Sequence, residues 1–230
     1  MIILAIDTTS RAGSVALLRG LEVVSQVASE EDDPYSARLF RDVARVMRDA
    51  GTAMPHVDLY AVASGPGSFT GVRVGLAAVK AWAEVYRKPV AAVSALEAMA
   101  FQAEGESLIA GIADAHRGQL FAGLYERIDG GLRRRGDDVV MSPAECAAYL
   151  AEQSAGAPFV IRTTAAELVR AALEGTAASA RVEPVDPALA PAIGRLGFGR
   201  ARRGEVVDAL ALDAHYVRRS DAELLWHDSK

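Results

Sequence analysis

The stretch SGPGSFTGVRVGLAAVKAWAEVYRKP, residues 64–89, joins a glycine-rich loop to a long apolar segment. After Arg73, only Lys80 and Glu84 carry charge as far as residue 86. A helical step of about 100° per residue places both within roughly 40° of Arg73, which leaves an apolar arc of roughly two-thirds of the circumference. An ordinary surface helix needs an apolar stripe only a little over about 100° wide. The pattern predicts a helix that is covered by more than one neighbour.

Two explanations compete for the second neighbour of this helix. The helix is either enclosed by its own chain, or one flank covers a sheet and the other meets a second polypeptide. Small residues recur along it, at Gly67, Gly71, Gly75, Ala77, Ala78 and Ala81. An interior glycine costs about 0.5–1 kcal/mol relative to alanine, and close packing of another helix would offset that cost. The small residues therefore favour contact with a second chain.

The surface predicted for this contact includes the end of the loop and one side of the helix. A large charged residue at Gly75 or Ala78 is expected to prevent partner binding and to leave the chain folded. The predicted interface residues are Gly67, Phe69, Thr70, Gly71, Val72, Val74, Gly75, Ala77, Ala78, Ala81 and Trp82.

The loop GPGSFTG is only weak support for a phosphate site. It precedes a helix N-terminus, where free N–H groups suit an anion. It lacks the GK[ST] ending of a Walker loop, the third glycine of GxGxxG and the GxSxG pattern of a hydrolase nucleophile. Ser68 or Thr70 is therefore predicted to cap the helix.

The chain is predicted to be a soluble cytoplasmic protein with an α/β fold. Of its 230 residues 51% are hydrophobic, and the net charge of -5 gives no overall basic footprint for nucleic acid. The single cysteine, Cys146, is predicted to be a small core residue. Neither a signal peptide nor a membrane span is predicted. Hairpins followed by helices occur twice, which predicts two lobes, 1–103 and 104–211, with 212–230 packing back on the first.

Several motifs resemble, in order, those of the TsaB (YeaZ) family. They are ILAIDTTSRAGSVAL, ASGPGSFTGVRVGLAAVKAWA, PVAAVSALEAMA, IADAHRGQLFAGLY and a late HYVRR. The similarity covers most of residues 1–125 and a short block near 215–223. It implies the two-lobed fold of actin, sugar kinases and the Hsp70 ATPase, which is the ASKHA, ribonuclease H-like fold.

The resemblance also implies a function in the synthesis of threonylcarbamoyladenosine in tRNA. The family member is a non-catalytic dimerisation subunit that binds the catalytic subunit TsaD, with TsaE as a further ATPase partner. It forms a homodimer when alone, through the same helix, and meets tRNA only through the complex. No metal is expected, because TsaD binds metal through a His-x-x-x-His pair and no two of the four histidines here are so spaced.

A vestigial nucleotide site is the second kind of site to consider. In this fold an early acid lies near Mg²⁺, and Asp7 with Thr8, Thr9 and Ser10 occupies that position. Asp7 either serves metal and phosphate or hydrogen-bonds the amides of its own turn. Asp114 and Arg117 either form a local turn or face the cleft or a partner. Weak ATP or ADP binding would lie at this lobe cleft or at the interface of the complex.

The arginines of the first helix, Arg38, Arg41, Arg45 and Arg48, are predicted to form a solvated face that is partly paired with Asp42 and Asp49. Contact with tRNA or a partner is the alternative. The rival functions are a stand-alone small-metabolite kinase or ATPase of the same fold, and a metallopeptidase.

Overall fold

A computed structural model of the chain describes residues 1–28, 35–128, 131–174 and 180–218. These residues form two mixed five-stranded sheets with helices packed on them, as the predicted two-lobed α/β class requires. The strands are β1 (Ile2–Asp7), β2 (Ser14–Arg19), β3 (Glu22–Ala28), β4 (Leu59–Gly65), β5 (Val90–Ser94), β6 (Leu108–Asp114), β7 (Leu120–Ile128), β8 (Gly131–Met141), β9 (Phe159–Thr163) and β10 (Ala180–Pro184). The helices are α1 (Tyr35–Asp49), α2 (Phe69–Tyr86), α3 (Ala95–Phe101), α4 (Pro143–Ser154), α5 (Ala166–Leu173) and α6 (Ala190–Arg203).

The first sheet has the strand order β3-β2-β1-β4-β5. β1 pairs with β2 antiparallel and with β4 parallel, and β4 pairs with β5 parallel. Every residue of β4 is buried, as expected for a strand in the middle of a sheet that is covered on both faces.

Alternate residues of β1 divide the core of the first lobe into two layers. Leu4 and Ile6 lie in a cluster with α1 and α2, whereas Ile3 and Ala5 lie in a cluster with α3 and α6. This division follows from the two-residue period of a strand. Helix α2, which lies within the stretch 64–89, therefore covers one face of the first sheet at β4.

The second sheet has the order β10-β9-β6-β7-β8 and packs against α4 and α5. Cys146 of α4 is buried in this core, and burial raises the pKa of its thiol to about 11, which confirms its prediction as a core residue. On the other side of the sheet, Leu96 and Ala100 of α3 pack against Ile109 and Phe121. α3 therefore belongs to the cores of both lobes.

The chain returns to the first lobe earlier than predicted. Helix α6 packs on β1, β2, β4 and β5, and Ala209 and Leu212 lie in the core beneath α1 and α2. Glycines permit this close packing, because a Cβ at Gly197 would lie 2.8 Å from Cβ of Ala61. The boundary predicted at 211 is corrected to about 184, and part of the 212–230 segment, residues 219–230, lies outside the described residues.

None of the helices described is both long and apolar enough to cross a membrane.

Candidate functional site

Helix α2 begins as the sequence predicts. The hydroxyl of Ser68 accepts a hydrogen bond from the backbone N–H of Gly71 at 3.2 Å, so Ser68 is the cap. The helix ends at Tyr86, and the next residue, Arg87, adopts a left-handed conformation. Burial along α2 divides it into two sides with different neighbours.

The glycines of α2 and its loop lie against the chain's own β1–β2 turn. A Cβ would lie 2.3 Å from the carbonyl oxygen of Thr9 if built at Gly67, and 2.0 Å from that of Thr8 if built at Gly71. At Gly75 it would lie 2.3 Å from Oγ1 of Thr8. That hydroxyl also donates to the carbonyl of Gly71 at 2.7 Å. The prediction that these glycines admit a helix of a second chain is therefore wrong.

Four of the predicted interface residues lie within the first lobe's own packing. They are Gly71, Val72, Gly75 and Ala78. A large residue at Gly75 or Ala78 would disturb the fold, so the expectation that such variants stay folded is corrected as well.

The other side of α2 is exposed and apolar. Thr70, Ala77 and Ala81 are exposed, Val85 is 72% exposed, and Val74 and Trp82 are half-buried. Phe40 of α1 is 57% exposed and packs its ring edge-to-face on Trp82, with ring centres 5.8 Å apart. We call these seven residues the docking surface. Sequence analysis missed Phe40 and Val85, although the apolar arc of the helix already contained Val85.

One arginine, Arg73, packs against two aromatic rings at the N-terminal end of α2. The Nε–H of Arg73 donates to the hydroxyl of Tyr216 at 2.9 Å, and Cζ of Arg73 lies 3.7 Å from the ring centre of Phe69. The rings of Phe69 and Tyr216 are 5.2 Å apart. Phe69 is 39% exposed and Tyr216 46%. We call this group the Phe69–Arg73–Tyr216 cluster.

Residues 215–218, which we call the C-terminal strap, hold Tyr216 in place from both sides. The backbone N–H of His215 donates to the carbonyl of Ser64 at 2.8 Å. The guanidinium of Arg218 donates from Nη2 to Oε1 of Gln119 at 2.6 Å. The strap therefore connects the end of β4 in the first lobe with the β6–β7 turn in the second.

A buried polar group lies where the strap meets both lobes. Asp138 of β8 accepts hydrogen bonds from Ser94 at 3.0 Å and from Tyr125 at 3.3 Å, and Nε2 of His215 lies 3.1 Å from its Oδ2. Burial raises the pKa of the Tyr125 phenol well above its ordinary value. Gly123 provides the space, since a Cβ there would lie 2.5 Å from Oδ1 of Asp138. No sequence motif indicated this group.

Asp7 organises its own turn. Its Oδ1 accepts the backbone N–H of Thr9 at 2.9 Å and the Thr9 hydroxyl at 2.7 Å, as one of the two interpretations required. Asp7 is 1% exposed, and burial raises the pKa of its carboxyl. Ser10 is half-buried. The other carboxylate oxygen, Oδ2, is buried and makes no hydrogen bond within the described residues.

Asp114 likewise serves a local turn. Its Oδ1 accepts the backbone N–H of His116 at 2.7 Å, and its Oδ2 lies 3.2 Å from Nδ1 of the same residue. Arg117 is exposed and has a left-handed backbone conformation. Within residues 1–28, 35–128, 131–174 and 180–218, no three His, Cys, Asp or Glu side chains come together as a metal site would require.

One of the four arginines of α1 differs from its prediction. Arg38 is buried, and its Nη2 donates to the carbonyl of Arg11 at 2.6 Å. Arg41, Arg45 and Arg48 are exposed, and Arg45 pairs with Asp49 at 3.8 Å. The prediction of a solvated face is therefore wrong for Arg38, whose hydrogen bond connects α1 to the β1–β2 turn.

Comparison with solved structures identifies the fold. A Pseudomonas aeruginosa protein described as uncharacterized, with similarity to peptidase YeaZ, superposes with a TM-score of 0.80 at 28% identity, over 94% of this chain and 99% of that one. The polyphosphate/ATP-glucomannokinase of an Arthrobacter strain superposes with a TM-score of 0.55 at 10% identity, over 88% of this chain and 99% of that one. At this identity the likeness to the kinase concerns the fold alone. It confirms the prediction that this chain has the two-lobed fold of the sugar kinases.

Comparison of sequences identifies the family. A family model described as TsaD, tRNA N6-adenosine threonylcarbamoyltransferase, matches residues 22–182. The tRNA threonylcarbamoyladenosine biosynthesis protein TsaB of Bacillus subtilis (strain 168) is 31% identical over an alignment of 238 residues that covers 100% of each chain. Together with the YeaZ-like structure, these matches establish that the chain belongs to the TsaB (YeaZ) family.

Proposed function

We propose that this protein acts in the biosynthesis of threonylcarbamoyladenosine in tRNA as a non-catalytic dimerisation and activating subunit. Its docking surface binds the catalytic subunit, a protein of the TsaD kind, and holds it in an active arrangement. The name of the Bacillus subtilis relative and the TsaD family model support the pathway. The exposed apolar side of α2 is the observation that supports the docking role.

The composition of the docking surface supports a protein partner. Two of its side chains, Phe40 and Val85, are more than half exposed, and they lie beside the half-buried Trp82. Contiguous exposed apolar residues on a folded chain typically mark a protein-binding site. The side chains of Ala77 and Ala81, in the middle of the surface, are small, so that a partner helix can approach closely. The buried side of α2 fixes the helix on β4, which makes the surface rigid before binding.

The state of the lobe cleft supports a non-catalytic role. The Asp7 carboxyl, which would serve a metal or phosphate, is 1% exposed, and one of its two oxygens, Oδ1, accepts both hydrogen bonds from Thr9 of its own turn. We propose that any binding of ATP or ADP is weak, that tRNA meets this chain only through the complex, and that a TsaE-type ATPase joins the same assembly. Alone, the chain uses the same surface to form a homodimer. A stand-alone kinase or ATPase would need Asp7 to face its nucleotide.

The test is binding of the TsaD-type subunit encoded in the same genome. Ala77→Arg and Ala81→Arg place a long charged side chain in the middle of the docking surface without touching the core, so we expect each to lower affinity by at least roughly 100-fold. Ala148→Arg, at an exposed alanine of α4 in the second lobe, is the matched control and should bind normally. Affinity is measured by isothermal titration calorimetry and folding by circular dichroism.

Unchanged affinity in Ala77→Arg and Ala81→Arg would contradict the proposal. ATP turnover by the purified chain that disappears in Asp7→Ala would favour the kinase or ATPase instead. Formation of threonylcarbamoyladenosine in a reconstituted reaction gives a second readout. It should stop when this protein is omitted and resume when the wild-type chain or Ala148→Arg is added.

A further inference from the structure

The Phe69–Arg73–Tyr216 cluster is an unusual use of an exposed arginine. A surface arginine ordinarily samples many conformations, and fixing it costs side-chain entropy. Here a ring and a hydroxyl hold the guanidinium, through the stack on Phe69 and the Nε–H bond to Tyr216. The entropy of ordering Arg73 is therefore lost on folding, before any ligand arrives.

The guanidinium keeps most of its hydrogen-bonding capacity. It has five N–H donors, and the bond to Tyr216 uses only the one on Nε. In the part of the chain that the structure describes, no carboxylate pairs with Arg73. An ordered guanidinium without an acidic partner is prepared to receive an anion from outside.

The C-terminal strap explains why Tyr216 can serve as a fixed support. Its neighbour His215 is bonded to Ser64 and Asp138, and Arg218 is bonded to Gln119. Val217 packs on the cluster formed by α3 and the second sheet. Tyr216 thus projects from a segment that is held on both sides. The fold uses four consecutive residues to bring one aromatic ring to the start of α2.

We propose that the Phe69–Arg73–Tyr216 cluster is a second contact zone of the docking surface and binds a carboxylate of the partner subunit. This inference rests on the proposed docking function. The planar fork of a guanidinium matches a carboxylate in a bidentate manner. Aromatic residues and arginine are also the types that contribute most to protein–protein affinity. A carboxylate is favoured because the cluster continues an apolar, protein-binding surface of the same helix.

The experiment measures the affinity of variants for the TsaD-type subunit by titration calorimetry. Arg73→Ala should weaken binding by roughly 30-fold at low salt, because a desolvated carboxylate of the partner is left unpaired. Arg73→Lys should recover only part of this, since an ammonium group lacks the fork. Tyr216→Phe keeps the ring and removes the oxygen that orients Arg73, so a smaller loss is expected. Arg202→Ala, at an exposed arginine of α6, is the control.

Salt separates the carboxylate contact from simple packing. The loss in Arg73→Ala should shrink as NaCl is raised from about 0.05 M to about 0.5 M, because ions screen the charge pair. A loss that is equal at both salt concentrations would mean that only packing on Phe69 was removed, and it would overturn the carboxylate assignment. Wild-type affinity in Arg73→Ala, with binding abolished in Ala77→Arg, would overturn this inference and leave the docking function standing. Normal binding by Ala77→Arg would remove the docking function itself.

Discussion

On one side of α2, Gly71 and Gly75 lie against the chain's own Thr8, and on the other side Ala77 and Ala81 lie at the surface. Both sides carry small residues at four-residue spacing, and in the sequence they form one continuous series. In the structure their surroundings are opposite. The glycines allow a backbone carbonyl and a hydroxyl of the β1–β2 turn to touch the helix, whereas both alanines are exposed.

The difference between the two sides teaches how small residues in a helix should be interpreted. A small residue indicates that something approaches closely, but it does not indicate which chain approaches. The angular position on the helix decides this, because the glycines point toward β4 and the turn, and Ala77 and Ala81 point away. The glycine side therefore fixes α2 on its own chain, and the alanine side lies at the surface, where a partner can bind.

The largest effect is expected from adding volume to the glycine side. Gly71→Val would drive a side chain into the carbonyl oxygen of Thr8, which lies 2.0 Å from the position of a Cβ. We expect the free energy of unfolding to fall by about 3 kcal/mol or more. Ala77→Leu adds volume on the exposed side and should change it by no more than about 0.5 kcal/mol. Urea unfolding followed by circular dichroism measures both. Equal losses in the two variants would abolish the distinction between the sides.

A medium effect is expected from the turn that contacts the glycine side. Thr8→Val removes the buried hydroxyl that donates to Gly71 at 2.7 Å and keeps the shape of the side chain. We expect a loss of about 1–2 kcal/mol in the free energy of unfolding. Thr8→Ser keeps the donor and serves as the control in the same urea titrations. If Thr8→Val were as stable as wild type, the hydroxyl would not be part of what fixes α2.

The sequence predicts the helices and strands of this fold better than it predicts which of them pack together. The helix within residues 64–89, its Ser68 cap and the core position of Cys146 all follow from local patterns and are confirmed. These features depend on periodicity and capping, which a few neighbouring residues determine.

Long-range contacts account for what could not be predicted. Helix α6 packs on the first sheet through glycines whose partners are more than 100 positions away, such as Gly197 and Ala61. The group around Asp138 joins residues from three distant segments, Ser94, Tyr125 and His215. Arg38 is buried because it reaches a carbonyl in another turn, and nothing in the charge pattern of α1 distinguishes it from Arg41.

The smallest effect on folding, with a clear effect on binding, is expected at Phe40. Its ring is 57% exposed and makes a T-shaped contact with the ring of Trp82. Phe40→Ser should therefore lower the free energy of unfolding by less than about 1 kcal/mol. The same ring on a protein-binding surface would be desolvated by the partner, so affinity for the TsaD-type subunit should fall roughly tenfold. Leu168→Ser, at an exposed apolar residue of α5, should change neither quantity. A Phe40→Ser variant that loses stability but binds normally would assign Phe40 to the core and narrow the docking surface to α2 alone.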